Sequence, residues 1–298
     1  MRACERSSLK ILGRSVRAKR DRRATRQLMM LFSMMLLTGC AVAPLEKSGG
    51  LSSYADLSPA NGVLTKAQVH IDREKVLSAR SVTIVPTTFS AEAERRGLSE
   101  KQRTLVANVI DRTLCADLTE RFRVVPPGQQ ADLTIHAVVT HFDLTDKTVA
   151  GASKVASIVP AVAFPGAHVM VPRIPLGLGS LSVEAEARGP TGEQKAAIVW
   201  ARGANSFTNQ PRVSEAGDAY DLASDFGDDF GKLLVSAVNP FDGHASLPTK
   251  GRIDLAFGKE PEEAACKIFG RGPGALGLFG AAIAMPPEWT DNGPAHAD

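Results

Sequence analysis

Aromatic residues and the common catalytic motifs are both scarce in this sequence. Its 298 residues include two Trp and two Tyr, too few for an aromatic sugar-binding platform. It contains no HExxH, CxxC or GxSxG, the patterns of zinc proteases, zinc or redox thiols, and serine hydrolases. We therefore predict no catalytic residue, no metal site and no enzyme; a hydrolase is the weakest of the alternatives considered below.

The N-terminal apolar run is too short to cross a bilayer. It covers residues 28–37, ten residues with one polar member, Ser33, whereas a spanning helix needs about 20. Residues 1–27 ahead of it hold ten Lys/Arg and two acids. A basic segment followed by a short apolar run is typical of an export signal.

The apolar run ends in Leu37-Thr38-Gly39-Cys40, which resembles a bacterial lipobox. The resemblance implies that signal peptidase recognises Leu37, Thr38 and Gly39, that residues 1–39 are removed, and that Cys40 carries diacylglycerol and an N-acyl lipid such as palmitate. Two or more acyl chains anchor a protein stably, because each buried CH₂ contributes about 0.8 kcal/mol. Ala41 matches the outer-membrane sorting pattern, so we expect a lipid anchor in the outer membrane, facing the periplasm.

Removal of this leader reverses the net charge. The whole chain is +3, but residues 1–39 hold ten Lys/Arg and two Asp/Glu, which leaves 25 Lys/Arg against 30 Asp/Glu, or −5. A nucleic-acid partner is therefore not expected. Two further cysteines remain: either Cys115 and Cys266 form a disulfide, which the periplasm permits, or Cys115 is a small core residue of a helix.

The mature chain divides by composition into three parts. Residues 40–66 are small and polar, which predicts a lipid anchor and a flexible tether. Residues 67–242 carry regular hydrophobic patterns and predict one domain. Residues 243–298 form an extension rich in Gly, Pro and Ala.

The patterns in the central part predict an α+β fold. Ser99 and Gln102 form a capping box that starts a helix over 100–121, and a second helix ends at Asn239-Pro240. A β-branched run ended by Pro86 predicts a strand at 82–85, and alternating residues predict strands at 133–140 and 181–188. After a turn at 188–192 the chain returns as a strand at 195–202, which forms a hairpin with 181–188. We expect a mainly antiparallel sheet with two amphipathic helices on one face.

Two apolar segments do not fit this core. Residues 148–180 and 266–287 are turn-rich and carry few charges. They either pack on the sheet as ordered loops or expose a surface for lipid or a partner. The GxGxxG at 272–277 is followed by only 21 residues, which leaves no room for a dinucleotide-binding unit.

Two sets of side chains could in principle bind a metal. His136 and His141 are five residues apart, which places them on opposite faces of a continuous strand. Carboxylates at three- and four-residue steps on the last helix could bind Ca²⁺, but a solvated helix face is the simpler interpretation. These carboxylates are Asp218, Asp221, Asp225, Asp228 and Asp229.

The stretch after the lipobox resembles a known family. Gly50-Leu51-Ser52-Ser53-Tyr54-Ala55-Asp56-Leu57 is similar to the "GFLxDYxxL" opening of an uncharacterised bacterial lipoprotein family, domain of unknown function 3313. Residues 69–76 resemble its next segment, although Arg73-Glu74 stands where the family has Asp-Pro. The resemblance spans Gly49–Phe241 and implies a small envelope lipoprotein without assigned catalytic residues.

These features predict a non-enzymatic binding or accessory module of the cell envelope, with the membrane and an envelope protein as partners. The alternatives are a periplasmic carrier of lipid or another apolar ligand, whose pocket the two apolar segments would line, and a periplasmic hydrolase.

Overall fold

A computed structural model describes residues 43–163, 172–242, 248–291 and 293, with the side chains of 158–163 left aside. The predicted signal at 1–39, its recognition residues Leu37, Thr38 and Gly39, and the predicted lipid site Cys40 lie outside the described residues. Within the described residues, no helix is both long and apolar enough to span a membrane.

One mixed sheet organises the described chain. Its strand order is β1-β2-β8-β7-β6-β3-β5, and β4 also pairs with β6. The strands are β1 (Ser58–Pro59), β2 (Thr65–Ile71), β3 (Ser81–Ile84), β4 (Thr88–Phe89), β5 (Arg123–Val124), β6 (Leu133–Asp143), β7 (Ser180–Arg188) and β8 (Gln194–Gly203).

The predicted α+β class is confirmed, but the sheet, predicted as mainly antiparallel, is mixed. β1, β2, β8, β7 and β6 pair antiparallel, whereas β3 runs parallel to β5 and β6, and β4 parallel to β6. Between β3 and β6 a long helix returns the chain to the end of the sheet where β3 began. β6 therefore runs parallel to β3. The predicted hairpin is β7–β8.

Eight α-helices and a 3₁₀-helix are found in the described residues. They are α1 (Arg73–Ser78), α2 (Ala91–Glu94), α3 (Glu100–Leu118), α4 (Lys147–Ala163), α5 (Gly217–Ser236), α6 (Lys250–Ala256), the 3₁₀-helix (Ala264–Phe269), α7 (Gly274–Ala282) and α8 (Pro287–Thr290). The capping box of Ser99 and Gln102 at the start of α3 is present. Helix α5 ends at Ala237, whose φ of 52° is left-handed.

Helices α3 and α5 cover one face of the sheet and form the main core with it. Inward-facing residues of β6, β7 and β8 pack against the apolar faces of both helices. Trp200 of β8 meets Phe226 of α5 edge to face, with 5.6 Å between the ring centres. The predicted arrangement of two helices on one face is therefore observed.

The two apolar segments contain more helix than loop in the described residues. Most of the described part of 148–180 belongs to α4, whose start is capped by Asp146, which accepts hydrogen bonds from the N–H groups of Thr148 and Val149. The segment 266–287 contains the end of the 3₁₀-helix and all of α7. The interpretation of both as turn-rich loops was wrong because Pro160 lies within a helix and glycine and alanine make up most of α7.

Candidate functional site

Residues 43–57, which we call the N-terminal strap, lie on the face of the sheet opposite α3 and α5. Leu51 of the strap is buried against Ala197 and Val199 of β8. The Ser182 hydroxyl on β7 donates to the carbonyl oxygen of Pro44 at 2.6 Å. The described part of the predicted flexible tether, residues 43–66, is therefore ordered against the sheet rather than extended away from it.

Two fully buried glutamates of β7 hold the strap. Glu184 accepts hydrogen bonds from the Gly50 N–H at 2.7 Å, from the Ser48 hydroxyl at 2.5 Å and from the Tyr54 hydroxyl at 2.6 Å. A buried carboxylate is stable only when such donors replace water. Glu184 is thus the acceptor around which the strap folds.

The second glutamate, Glu186, lies one step further along β7. It accepts from the Ser52 N–H at 2.9 Å, the Ser52 hydroxyl at 2.6 Å and the Gln194 amide at 2.7 Å, and it pairs with Arg188. Burial alone would raise its pKa, but these hydrogen bonds outweigh burial and lower the pKa of Glu186. Hydrogen bonds from Ser52 of the strap, together with those from Gln194 and Arg188, therefore favour the ionised form of Glu186.

The spacing of the family motif follows from this geometry. A Cβ on Gly50 would lie 2.6 Å from Oε1 of Glu184, so a larger residue would force the carboxylate to shift from its position beside the Gly50 N–H. Tyr54 closes the turn: its hydroxyl accepts from the Gly49 N–H at 2.9 Å and donates to Glu184. Burial and the contact with Glu184 raise the pKa of Tyr54.

The two histidines of β6 do not form a metal site. A bulge between Val139 and His141 places His141 opposite Ser182, while His136 lies opposite Glu186, so both histidines face the strap. The prediction that they lie on opposite faces was wrong because the bulge adds a residue. Their partners on β7 are four positions apart, about 13 Å. His141 Nδ1 lies 2.8 Å from a carboxylate oxygen of Glu46.

The aspartates of α5 each have their own partner rather than a shared ion. Asp218 is buried, so the interpretation as a solvated face does not hold for it; it pairs with Arg173 at 2.5 Å and accepts from the Thr145 hydroxyl at 2.9 Å. The other pairs are Asp221 with Arg212, Asp225 with Arg202, Asp228 with Lys232 and Asp229 with the indole N–H of Trp200. Within the described ranges, no cluster of His, Cys, Asp and Glu could hold a metal ion.

Cys115 of α3 and Cys266 of the 3₁₀-helix form a disulfide, with their Cα atoms 5.8 Å apart. Of the two alternatives left open by the sequence, the disulfide is the one observed. It joins residues 151 positions apart and ties the C-terminal extension to the helix layer.

A buried ion pair that the sequence did not reveal reinforces this link. Arg112 donates to Asp291 at 3.2 and 2.5 Å, and the Tyr220 hydroxyl donates to the same carboxylate at 2.7 Å. Burial alone would raise the pKa of Asp291, but Arg112 and Tyr220 lower it.

The GxGxxG at 272–277 follows the 3₁₀-helix rather than a strand, so it is not a dinucleotide site.

The mixed sheet, the paired helices and the strap define an α+β domain closed by a disulfide. The family model described as Protein of unknown function (DUF3313) matches residues 46–230, more than half of the chain, and the chain belongs to this family. The resemblance predicted from the strap motif is thereby confirmed.

The solved structures that match this chain are only distantly similar to it. A PelC dodecamer from Paraburkholderia phytofirmans matches 61% of this chain and 100% of its own, at 10% identity and a TM-score of 0.32. A DUF4136 family protein from Bacteroides thetaiotaomicron matches 54% of this chain and 91% of its own, at 9% identity and a TM-score of 0.27. A comparison with curated proteins found no match.

Proposed function

We propose that this protein is a lipoprotein of the outer membrane, anchored by acyl chains on Cys40 and facing the periplasm, where its domain acts as a non-enzymatic binding or accessory module of the cell envelope. The observation that carries the proposal is the disulfide between Cys115 and Cys266. Structural disulfides persist in oxidising compartments such as the periplasm, which is where a chain with this leader and lipobox would fold.

Four of the buried carboxylates support binding or scaffolding rather than catalysis. Glu184 and Glu186 hold the strap, Asp218 neutralises Arg173, and Asp291 neutralises Arg112. A general acid or base must reach a substrate proton through an open cleft. These four groups instead join separate segments of the chain, which is a structural use.

A cavity beside the 3₁₀-helix does not support the alternative function of a periplasmic lipid carrier. It has a volume of about 760 Å³ and lies next to the segment that was expected to line an apolar pocket. Its lining includes Glu260, Lys267 and Arg271 together with glycines and prolines. A lipid carrier needs a mainly apolar cavity, so we do not propose a second function.

Acylation can be tested by growing cells with radiolabelled palmitate and comparing the wild type with Cys40→Ser. Label in the wild type, its loss in Cys40→Ser, and a mature protein that starts at residue 40 would support the proposal. Cys4→Ser is the matched control, because Cys4 lies in the predicted leader and its replacement should leave labelling unchanged. An unlabelled wild type, or one that retains its leader, would overturn the proposal.

The envelope role is tested separately by chemical crosslinking in intact cells. The wild type should crosslink to an envelope protein. The same crosslink should be missing in Cys40→Ser, because this variant lacks the anchor. Hydrolytic activity of the purified protein toward an envelope polymer would contradict the non-enzymatic assignment.

A further inference from the structure

The strap enters the fold at one end of the sheet, which we call the anchor-side end. It is formed by Asp143 at the end of β6, Ser180 at the start of β7 and Gly203 at the end of β8, which are aligned in register. Pro44 is bound two residues from this end by Ser182, and the strap then follows β7 toward Glu186.

The predicted lipid site is close to this end in the chain. Ala43 is buried, with 3% of its surface exposed, and Cys40 precedes it by three residues. Three residues span about 10 Å at most, whatever their conformation. An acylated Cys40 would therefore hold the anchor-side end against the bilayer and leave no room for a long spacer.

Large apolar side chains are exposed around the same end. Leu144 follows β6, Leu176 precedes β7, and Phe207, 56% exposed, follows β8. Val63 and Leu64 precede β2, whose first residue, Thr65, pairs with Arg202 near the end of β8. Val155 of α4 is exposed close to Ser153, whose hydroxyl accepts from the Ile174 N–H in the loop before β7.

The opposite end of the sheet carries ionisable side chains, as the anchor-side end also does at Asp143, Asp146 and Lys147, but fewer large apolar side chains of the described residues are exposed there. The turn between β7 and β8 and the neighbouring strand ends carry ionisable side chains, with Leu77 as an exposed leucine on α1, 45% exposed. These ionisable side chains are Arg80, Arg123, Asp132, Glu193 and Lys195. The two ends are about 30 Å apart along β7.

We propose that the anchor-side end rests directly on the lipid leaflet, with Val63, Leu64, Leu144, Val155, Leu176 and Phe207 at the interface between headgroups and acyl chains. The inference rests on the acylation proposed above and adds an orientation to it. Apolar surface is stabilised by leaving water, and several exposed large apolar residues at one end of the sheet favour a contact surface there. The short connection to Cys40 selects lipid as the occupant, and the strands then stand roughly perpendicular to the plane of the leaflet, with the end of the sheet near Leu77 toward the periplasm.

The orientation is tested with acylated protein reconstituted into vesicles of phosphatidylethanolamine and phosphatidylglycerol (3:1) whose acyl chains are brominated, since bromine quenches tryptophan only at close range. Trp289 is first replaced by Phe, so that buried Trp200 is the constant background. The probe is then Phe207→Trp, and the matched control at the opposite end is Leu77→Trp.

We expect brominated lipid to quench the Phe207→Trp probe at least threefold more than the Leu77→Trp control. Equal quenching of the two probes would overturn the orientation but not the acylation, provided that the protein carries its acyl mass and floats with the vesicles. The same result is expected if a protein or a second copy of this chain covers the anchor-side end. Protein without acyl mass would overturn the proposed anchoring and the orientation together. A far-ultraviolet circular dichroism spectrum like that of the wild type in both variants verifies that they are folded.

Discussion

The Tyr54 hydroxyl of the strap donates a hydrogen bond to Oε2 of Glu184 on β7, with 2.6 Å between the oxygens. The two residues are 130 positions apart, and their contact closes a second layer over the sheet. The sheet is thus covered on both faces, by helices on one and by the strap on the other. A buried acid in the middle of a strand is explained by this second layer.

Replacing Glu184 by Gln should release the strap. The amide keeps the size of the carboxylate but puts an NH₂ group among the N–H and O–H donors of Ser48, Gly50 and Tyr54. A hydrogen bond to a charged acceptor contributes about 1.5–3 kcal/mol, so we expect Glu184→Gln to lower the free energy of unfolding by about 2–4 kcal/mol. Urea denaturation at pH 7 measures this change.

Glu74→Gln, on the exposed side of α1, is the control for this experiment and should change the free energy of unfolding by less than about 0.5 kcal/mol. Hydrogen exchange at the Gly50 amide should also speed up in Glu184→Gln but not in Glu74→Gln. Equal stability of the two variants would mean that the strap adds nothing to the fold.

The sequence predicted the elements of the domain better than their environment. The alternation along β7 is visible in the sequence, but nothing in it indicates that Glu184 and Glu186 are covered. The strap was interpreted as a tether because small polar residues are typical of linkers. Its Gly, Ser and Tyr residues are instead the donors that two buried carboxylates require, and this pairing depends on contacts between segments far apart in the chain.

Local irregularities limited the rest of the sequence-based prediction. The bulge before His141 reverses the side of the sheet on which later β6 residues lie, and a two-residue period cannot reveal it. The Cys115–Cys266 pairing stayed open because spacing does not report spatial distance. The capping box at Ser99 was predicted correctly because all its contacts lie within one helical turn.

Reduction of the disulfide should destabilise the domain strongly. The bond between Cys115 and Cys266 closes a loop across 151 positions, and cross-links of long loops restrict the unfolded chain most. We expect dithiothreitol to lower the free energy of unfolding by about 2–5 kcal/mol, measured by urea denaturation. The double variant Cys115→Ala/Cys266→Ala should match the reduced wild type and should not respond to dithiothreitol; a wild type that is insensitive to reductant would contradict the role of this bond.

The ion pair between Arg112 and Asp291 makes the C-terminal extension part of the fold, although it lies beyond the matched residues 46–230. Asp291→Asn leaves the buried Arg112 guanidinium without its counter-charge, and breaking such a pair costs about 3–5 kcal/mol of stability. Thermal and urea unfolding should show a loss of this size.

Asp254→Asn is the matched control for Asp291→Asn. Asp254 of α6 pairs with Lys250 and with Lys259, which follows the helix, and ion pairs between exposed charges contribute little to stability. If Asp291→Asn is as mild as Asp254→Asn, the extension is not held by the buried pair. Replacing both Arg112 and Asp291 by apolar residues should restore most of the stability, because no charge is then left unpaired.

The buried carboxyl of Asp111 should make stability depend on pH in a direction opposite to ordinary acid denaturation. Burial raises the pKa of Asp111 from 3.8 to about 7, against the opposing effect of hydrogen bonds from the N–H and hydroxyl of Thr87. Between about pH 4 and pH 7 the folded protein holds a proton at this site that the unfolded chain has lost. This contribution to the free energy of unfolding is therefore present at low pH and is lost as the pH rises to 7.

Asp111→Asn removes the titration and keeps an oxygen acceptor for Thr87. Each pKa unit corresponds to about 1.4 kcal/mol, so the wild type should lose at least about 1 kcal/mol more than Asp111→Asn between pH 5.0 and pH 7.5, measured by urea denaturation at each pH. Asp132→Asn is the control: the Arg80 N–H, together with Ser81, lowers the pKa of Asp132, which is then ionised throughout this range, so its replacement should reduce stability equally at both pH values. Parallel pH profiles for the wild type and Asp111→Asn would show that Asp111 is ionised in the folded protein and that Thr87 alone compensates its burial.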